Sequence, residues 1–170
     1  MSSVAQEPTD VILRDGSTLR LRAPLAEDTD AMLDFFERLS PESRYLRFHG
    51  FAAVGPKLVE PLVDPDWFER GALVGYLEGR IVALANYVRL REPREAEAAF
   101  TVDDDYQRRG IGTRLLQTAE QAARHASLDG LVVKAQRGAE SFFIANGFVA
   151  LPVDDAARDY PHRLWKPVGG

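Results

Sequence analysis

The stretch EAEAAFTVDDDYQRRGIGTRLLQTAEQAARHA, residues 95–126, decides the fold of this chain. Its first eight residues alternate between polar and apolar, as a strand with one buried face does. From Ile111 onward the spacing changes to that of an amphipathic helix. Between them lies a basic loop with two glycines, QRRGIG at residues 107–112. A strand, a glycine loop and a helix in this order are typical of an α/β domain.

The chain before this stretch predicts antiparallel hairpins and short helices. Residues 11–22 contain two apolar runs around an Asp-Gly turn, and residues 73–90 contain two more around Glu-Gly-Arg. An amphipathic helix is predicted from residue 27 to residue 39. A second helix, with Ser40 as its cap and proline at its first position, is predicted to end near Gly50. Residues 51–70 predict an ordered loop with a short helix.

The chain after this stretch predicts further strands and one helix. Residues 131–133 form a short buried strand, and residues 139–146 form a helix that Asn-Gly ends in a left-handed turn. Strands follow from residue 148 and around residues 163–165. Hairpins followed by strand–helix–strand–helix–strand predict an α/β domain with a mixed sheet.

Composition limits the class of protein. With 170 residues, of which 45% are hydrophobic and 28% are charged, we expect a flexible N-terminus at 1–10 and one globular domain at 11–168. The net charge of −5 argues against nucleic acid as the main partner. The absence of cysteine excludes disulfides, thiolate metal sites and a cysteine acyl-enzyme. No targeting segment or membrane helix is visible, so we expect a cytoplasmic protein.

The glycine loop has the features of an anion site. Amides at the start of a helix have no internal partner, and the helix dipole adds positive charge there. Gly110 and Gly112 leave room for a phosphate to approach, while Gln107, Arg108 and Arg109 add donors and charge.

Known phosphate loops differ in how well they fit this segment. A P-loop would need a lysine before Thr113, and a dinucleotide fingerprint would need a third glycine where Leu115 stands. The spacing Gln/Arg-x-x-Gly-x-Gly after a strand fits without a mismatch. A turn with no ligand and a nucleotide-binding regulator remain as alternatives.

Three segments resemble the GNAT N-acetyltransferase superfamily. The run AEAAFTVDDDYQRRGIGTRLL at residues 96–116 resembles its central motif, and AESFFIANGF at residues 139–148 resembles its second signature. Residues 13–50 are similar to the acetyltransferase domain of bacterial protein-lysine acetyltransferases. The resemblance implies a GNAT-type mixed, mostly antiparallel twisted sheet flanked by helices, with a central strand, pyrophosphate loop and helix.

The resemblance also implies acetyl-CoA as co-substrate, no metal, and an amine acceptor, either a protein lysine or a small molecule. The resemblance does not fix the oligomeric state, and a homodimer is one of the states it allows. The loop would bind the pyrophosphate, and the preceding strand would run beside the pantetheine. The residues implied in coenzyme binding are Phe100, Thr101, Val102, Gln107, Arg108, Arg109, Gly110, Ile111, Gly112, Thr113, Gln136, Ser141 and Phe142.

A glutamate is the implied general base. A lysine amine is almost wholly protonated at pH 7, so a carboxylate must take its proton before attack. The resemblance assigns this role to Glu97, whose alternative is a polar residue on an exposed face or the partner of a nearby arginine. Glu95 shares the same face, and we expect it to be solvated or to touch the substrate.

The general acid is not assigned. Many members use a tyrosine where this chain has Phe142-Phe143, a pair for which we expect one ring inward and one along the coenzyme. Tyr106, Tyr87 or Tyr160 could substitute, or water could serve. The Phe142-Phe143 pair also favours the alternative function, which is a non-catalytic acyl-CoA-binding sensor or interaction domain.

Three aspartates and three histidines carry no predicted chemistry. We expect Asp103, Asp104 and Asp105 to point in different directions and to solvate the turn, and not to bind a metal. The histidines, His49, His125 and His162, have no ligand spacing.

Overall fold

The computed structural model describes residues 7–48, 54–91, 94–136, 138–152 and 162–169, and for residues 45–48 the backbone only. The strands are β1 (Thr9–Ile12), β2 (Thr18–Arg22), β3 (Arg70–Leu77), β4 (Arg80–Arg89), β5 (Glu95–Val102), β6 (Gly130–Ala135), β7 (Val149–Ala150) and β8 (His162–Pro167). The helices are α1 (Thr29–Arg38), α2 (Pro41–Phe48), α3 (Pro56–Val59), α4 (Ile111–His125) and α5 (Glu140–Ala145). None of the helices in the described ranges has the length and apolar character needed to cross a membrane.

One eight-stranded sheet has the order β1-β2-β3-β4-β5-β6-β8-β7. All neighbours are antiparallel except β5 and β6, which are parallel and are connected through α4. The predicted fold class is therefore confirmed. The predicted segments 49–53 and Tyr160 lie outside the described residues.

Tight turns join the antiparallel strands as predicted. Gly16 has φ +87° between β1 and β2, and Glu78 and Gly79 have φ +53° and +79° between β3 and β4. Positive φ at both central positions matches the right-handed twist of a hairpin. Strand β1 begins at Thr9, two residues before the predicted hairpin segment 11–22.

Two apolar cores cover the two faces of the sheet. On one face, α4 packs Leu115, Leu116 and Ala123 against alternate residues of β4, β5 and β6. On the other face, α1 and α3 pack against residues that include Val74 and Leu84. Since side chains alternate along a strand, each residue of β4 and β5 can be assigned to the α4 face or to the α1 face.

The first predicted helix starts two residues later than expected. Residues 26–28 form a 3-10 turn, and α1 begins at Thr29. The cause is Asp28, whose carboxylate accepts hydrogen bonds from Leu25 N at 2.7 Å, from Arg22 at 2.8 and 2.9 Å and from Tyr76 Oη at 2.5 Å. This buried cluster ties the start of α1 to β2 and β3.

Candidate active site

Strands β5 and β6 separate halfway along their length. They pair only from Glu95 with Gly130 to Ala98 with Val133. Strand β5 continues to Val102, paired with β4 along its other edge. The edge of β5 beyond Ala98 therefore has no strand partner in β6.

A cleft of about 650 Å³ opens at this separation. It reaches from the loop before α4 to the α1 face of the sheet, where Val88 pairs with Glu97 and Asn86 pairs with Ala99. The lining residues are Asn86, Val88, Glu97, Ala98, Ala99, Phe100, Val102, Tyr106, Gln107, Arg108, Gly110, Ile111, Gly112, Thr113, Val133, Lys134, Ala139, Phe142 and Phe143. One ligand could thus contact both the helix terminus and the opposite face.

The loop before α4 leaves main-chain amides without a side-chain cap at one end of the cleft. Gly110 is the N-cap residue with φ +83° and ψ +4°, and Arg108 also has a positive φ of +66°. No side chain caps the helix, whose first internal bond runs from Arg114 N to Gly110 O at 3.2 Å. The preceding amides therefore have no acceptor within the helix, as an anion site requires.

Gly112 provides space at the same end. A Cβ atom built on Gly112 would lie 3.3 Å from two ring carbons of Phe142 and 3.9 Å from Val102 Cγ2. This is tighter than an ordinary contact, so any larger residue would push against the wall of the cleft.

The predicted polar side chains of the loop are not all turned toward the cleft. Gln107 lines it, but its Nε2 donates to Val102 O at 3.1 Å and so braces the loop against β5. Arg108 also lines the cleft. Arg109 does not: it lies over the Tyr106 ring at 5.0 Å and reaches Asp15 Oδ2 at 3.5 Å.

Glu97 has a lysine partner. Lys134 Nζ lies 3.1 Å from Glu97 Oε1, and both side chains are about one-third exposed, 38% and 33% respectively. The ion pair sits on the α1 face, since Glu97 pairs with Val132 and Lys134 follows two residues along β6. The partner that the sequence analysis offered for Glu97 as its alternative was an arginine, whereas the structure shows Lys134.

Glu95 is half-buried. Its carboxylate accepts a hydrogen bond from Trp165 Nε1 of β8, a partner that the sequence did not predict. Val132 pairs with Trp165 on β8 and with Glu97 on β5, which brings the indole onto the same face. Contact between Glu95 and a substrate stays a prediction.

Of the two phenylalanines, one points inward, as expected. Phe143 is buried and packs its ring 5.3 Å from that of Phe148 and 6.0 Å from that of Phe100. Phe142 is only partly buried and lies over Gly112 along the cleft. That Phe142 touches a coenzyme stays a prediction.

The tyrosines considered as proton donors lie in different places. Tyr106 lines the cleft. Tyr87 is buried and donates from Oη to Trp67 O at 2.8 Å, and burial raises its pKa to about 12. Of these two, only Tyr106 is positioned to reach a ligand.

The turn aspartates do not simply solvate the loop, which corrects that expectation. Asp103 is buried and forms an ion pair with Arg38 of α1. Asp104 accepts hydrogen bonds from Ser40 N at 2.8 Å and Ser43 Oγ at 2.6 Å. These carboxylates fix α1 and α2 to the end of β5, beside the cleft.

Besides Arg109, three other predicted coenzyme residues lie off the cleft lining. Thr101 is buried on the α1 face with no hydrogen-bond partner for its Oγ1. Gln136 is buried beyond the end of β6, and Ser141 is exposed on α5. Coenzyme binding by these residues stays a prediction. Conversely, Asn86, Val88 and Lys134 line the cleft and gave no local signal in the sequence, because they enter it through strand pairing.

The comparisons with known proteins agree on one family. The family model described as "Acetyltransferase (GNAT) family" matches residues 28–148. An acetyltransferase of Pseudomonas aeruginosa is 30% identical over 160 residues, covering 89% of this chain and 86% of that protein. The acetyltransferase Pat of Mycolicibacterium smegmatis is 36% identical over 113 residues, or 64% of this chain. Those residues are 34% of Pat, so the match spans about a third of its length.

Solved structures show the same fold. The GNAT domain of S. lividans PAT superposes with a TM-score of 0.82 and 27% identity, covering 94% of this chain and 96% of that one. An N-acetyltransferase, PaiA, from Thermoplasma acidophilum in complex with coenzyme A has a TM-score of 0.67 at 14% identity, covering 88% and 98%. The family match over residues 28–148, together with the relative from Pseudomonas aeruginosa, shows that this chain belongs to the GNAT family of acetyltransferases.

Proposed function

We propose that the protein transfers the acetyl group of acetyl-CoA directly to an amine, with Glu97 as the general base. The observation that carries this proposal is the continuity of the cleft. One cavity joins the uncapped start of α4, the separated edge of β5 and the Glu97 carboxylate.

The diphosphate of the coenzyme would bind the loop. Amides of the first turn of α4 would donate to its oxygens, and the helix dipole and Arg108 would add positive charge. Gly112 supports this role, because its missing side chain leaves the amides accessible beside Phe142. The long apolar arm would then follow the edge of β5, where the cleft walls include Phe100 and Val102.

The unpaired edge of β5 supports transfer at the point of separation. An amide on that edge would donate to the thioester oxygen and would stabilise negative charge as the amine attacks. Glu97 is one residue before Ala98, where pairing with β6 ends. Its carboxylate would take the ammonium proton, directly or through a water, and free the nitrogen lone pair.

The departing thiolate needs little help. A thiol with a pKa near that of free cysteine, about 8.5, is a tolerable leaving group at neutral pH. Tyr106 lines the cleft and is the described tyrosine best positioned to donate a proton, while water is the alternative.

The acceptor amine would enter on the α1 face. That entrance has Val88, which is 44% exposed, and Glu97 beside it, so an aliphatic stem and an ammonium group would each find a matching surface. A protein lysine has this chemistry, and we place it ahead of a small amine.

Coenzyme titration and one pair of variants test the proposal. Calorimetry should detect binding of acetyl-CoA, and Glu97→Gln should retain it while turnover on a panel of amines falls about 10²- to 10⁴-fold. Glu95→Gln is the matched control, because it changes the same group two residues away and keeps an oxygen for Trp165 Nε1. Its turnover should fall much less than that of Glu97→Gln.

The alternatives predict other outcomes. Tight acetyl-CoA binding without turnover on any acceptor would favour an acyl-CoA sensor. Thermal stabilisation by a nucleotide and not by coenzyme A would overturn the proposal altogether.

A further inference from the structure

One of the few lysines of this chain lies inside the candidate active site. The sequence has three lysines against eighteen arginines. Lys134 is the first residue of β6 after the last pair with β5, Ala98 with Val133. It therefore stands at the mouth of the separation, where the acetyl group would be delivered under the proposed function.

The amine of Lys134 is already in contact with the candidate base. Its Nζ is 3.1 Å from Glu97 Oε1, and both residues line the cleft. An acceptor must present an ammonium group to this carboxylate before it can lose its proton. Within its own chain, Lys134 presents its ammonium group in that position.

We propose that Lys134 is itself an acetylation site, modified by the active site in which it lies. The inference rests on the proposed function, because it needs acetyl-CoA in the cleft and Glu97 as base. It goes beyond that function by naming an acceptor within the chain.

The reaction balances without a further reagent. Glu97 takes one proton from the Lys134 ammonium, and the neutral Nζ attacks the thioester carbonyl of acetyl-CoA. The C–N bond forms, the C–S bond breaks and the CoA thiolate leaves with a proton. The net reaction converts an ammonium and acetyl-CoA into an amide, CoA thiol and one released proton.

The product changes the site. The amide carries no charge, so Glu97 loses its ion-pair partner and becomes accessible to the ammonium of an external acceptor. Unmodified Lys134 competes with such an acceptor for the same carboxylate.

The other two lysines serve as internal references. Lys57 is exposed on α3, outside the cleft lining, and so reports the rate of uncatalysed chemical acetylation. Lys166 is on the α4 face, where its Nζ donates to Glu120 Oε1 and to Asn146 O, both at 2.8 Å. Its amine is occupied and does not line the cleft.

Isotope-labelled acetyl-CoA and peptide mass spectrometry test the inference. We expect label on Lys134 at least about tenfold faster than on Lys57, because the reacting groups are held together. The rate per molecule should not change on dilution. Lys134→Arg keeps the positive charge beside Glu97 and should lower total incorporation to the Lys57 background, while Glu97→Gln should slow the labelling of Lys134.

Different results would overturn this inference and the proposed function. Equal labelling of Lys134 and Lys57, or a rate that falls on dilution, overturns it. Turnover on an external amine with Lys134 unlabelled also overturns it, and leaves the proposed function standing. Absence of acetyl-CoA binding overturns both.

Discussion

The two loop glycines meet different physical needs, and alanine substitutions should separate them. Gly110 has φ +83°, and a Cβ atom there would meet nothing within 4 Å. Gly110→Ala therefore tests backbone conformation without a steric clash. Gly112 has no positive φ, but its Cβ would press on the Phe142 ring at 3.3 Å. Gly112→Ala therefore tests space.

The two substitutions should change the Tm by different amounts. The left-handed conformation costs an L-residue about 1–2 kcal/mol, which for a domain of this size lowers the Tm by about 2–8 °C. Asparagine tolerates this conformation better, so Gly110→Asn should lose less. At Gly112 alanine gains about 1 kcal/mol of helix propensity, which offsets the small displacement of Phe142. The Tm of Gly112→Ala should therefore change by no more than about 2 °C.

Thermal unfolding and coenzyme A calorimetry on the same samples check both expectations. Gly110→Ala should melt earlier, with Gly110→Asn in between. Gly112→Ala should melt like the wild type and bind coenzyme A more weakly, because its methyl group narrows the cleft beside the loop amides. A Gly110→Ala protein as stable as the wild type would refute the conformational reasoning. Unchanged coenzyme affinity in Gly112→Ala would refute the argument that the coenzyme needs the space beside Gly112.

Two further predictions concern the scaffold. Hydrogen bonds from Arg22 hold the pKa of Asp28 at about 2, so its carboxylate contributes about 2 kcal/mol of stability above about pH 4, lost as the pH falls toward 2. Asp28→Asn should remove that contribution. The free energy of unfolding, measured with urea, should then depend less on pH between about 4 and 2. Gly71→Ala would bring its Cβ into steric overlap with ring carbons of Tyr87, whose hydrogen bond to Trp67 O holds the ring in place, and should cost about 1–3 kcal/mol of stability. An unchanged urea midpoint would contradict that packing.

Local patterns predicted the centre of the fold well. The predicted strand from Glu95 to Val102 has the observed bounds. The helix predicted from Ile111 to about Ala126 ends one residue earlier, at His125. The periods of a strand and a helix are properties of neighbouring residues, and so is the pair of glycines between them. Such signals are visible in one sequence.

The burial of acidic side chains was the property that the sequence predicted least well. Asp103 was expected in solvent, and Glu120 was read only as part of a helix. Asp103 is buried with Arg38, 65 residues away, and Glu120 is buried with Lys166, 46 residues away. A buried carboxylate needs a cationic or hydrogen-bonding partner, and that partner comes from elements that only the fold brings together.

The choice between Glu95 and Glu97 depends on the same kind of information. Both carboxylates point to one face of β5, and their spacing gives no reason to prefer either. Glu95 is held by Trp165 Nε1, a neutral donor on a bulky ring fixed by strand pairing. The partner of Glu97 is a flexible, one-third-exposed lysine amine, which can withdraw to admit another ammonium or can itself react. A general base must exchange partners during each turnover, so the partly exposed ion pair supports the role that we propose for Glu97, and the indole contact argues against Glu95.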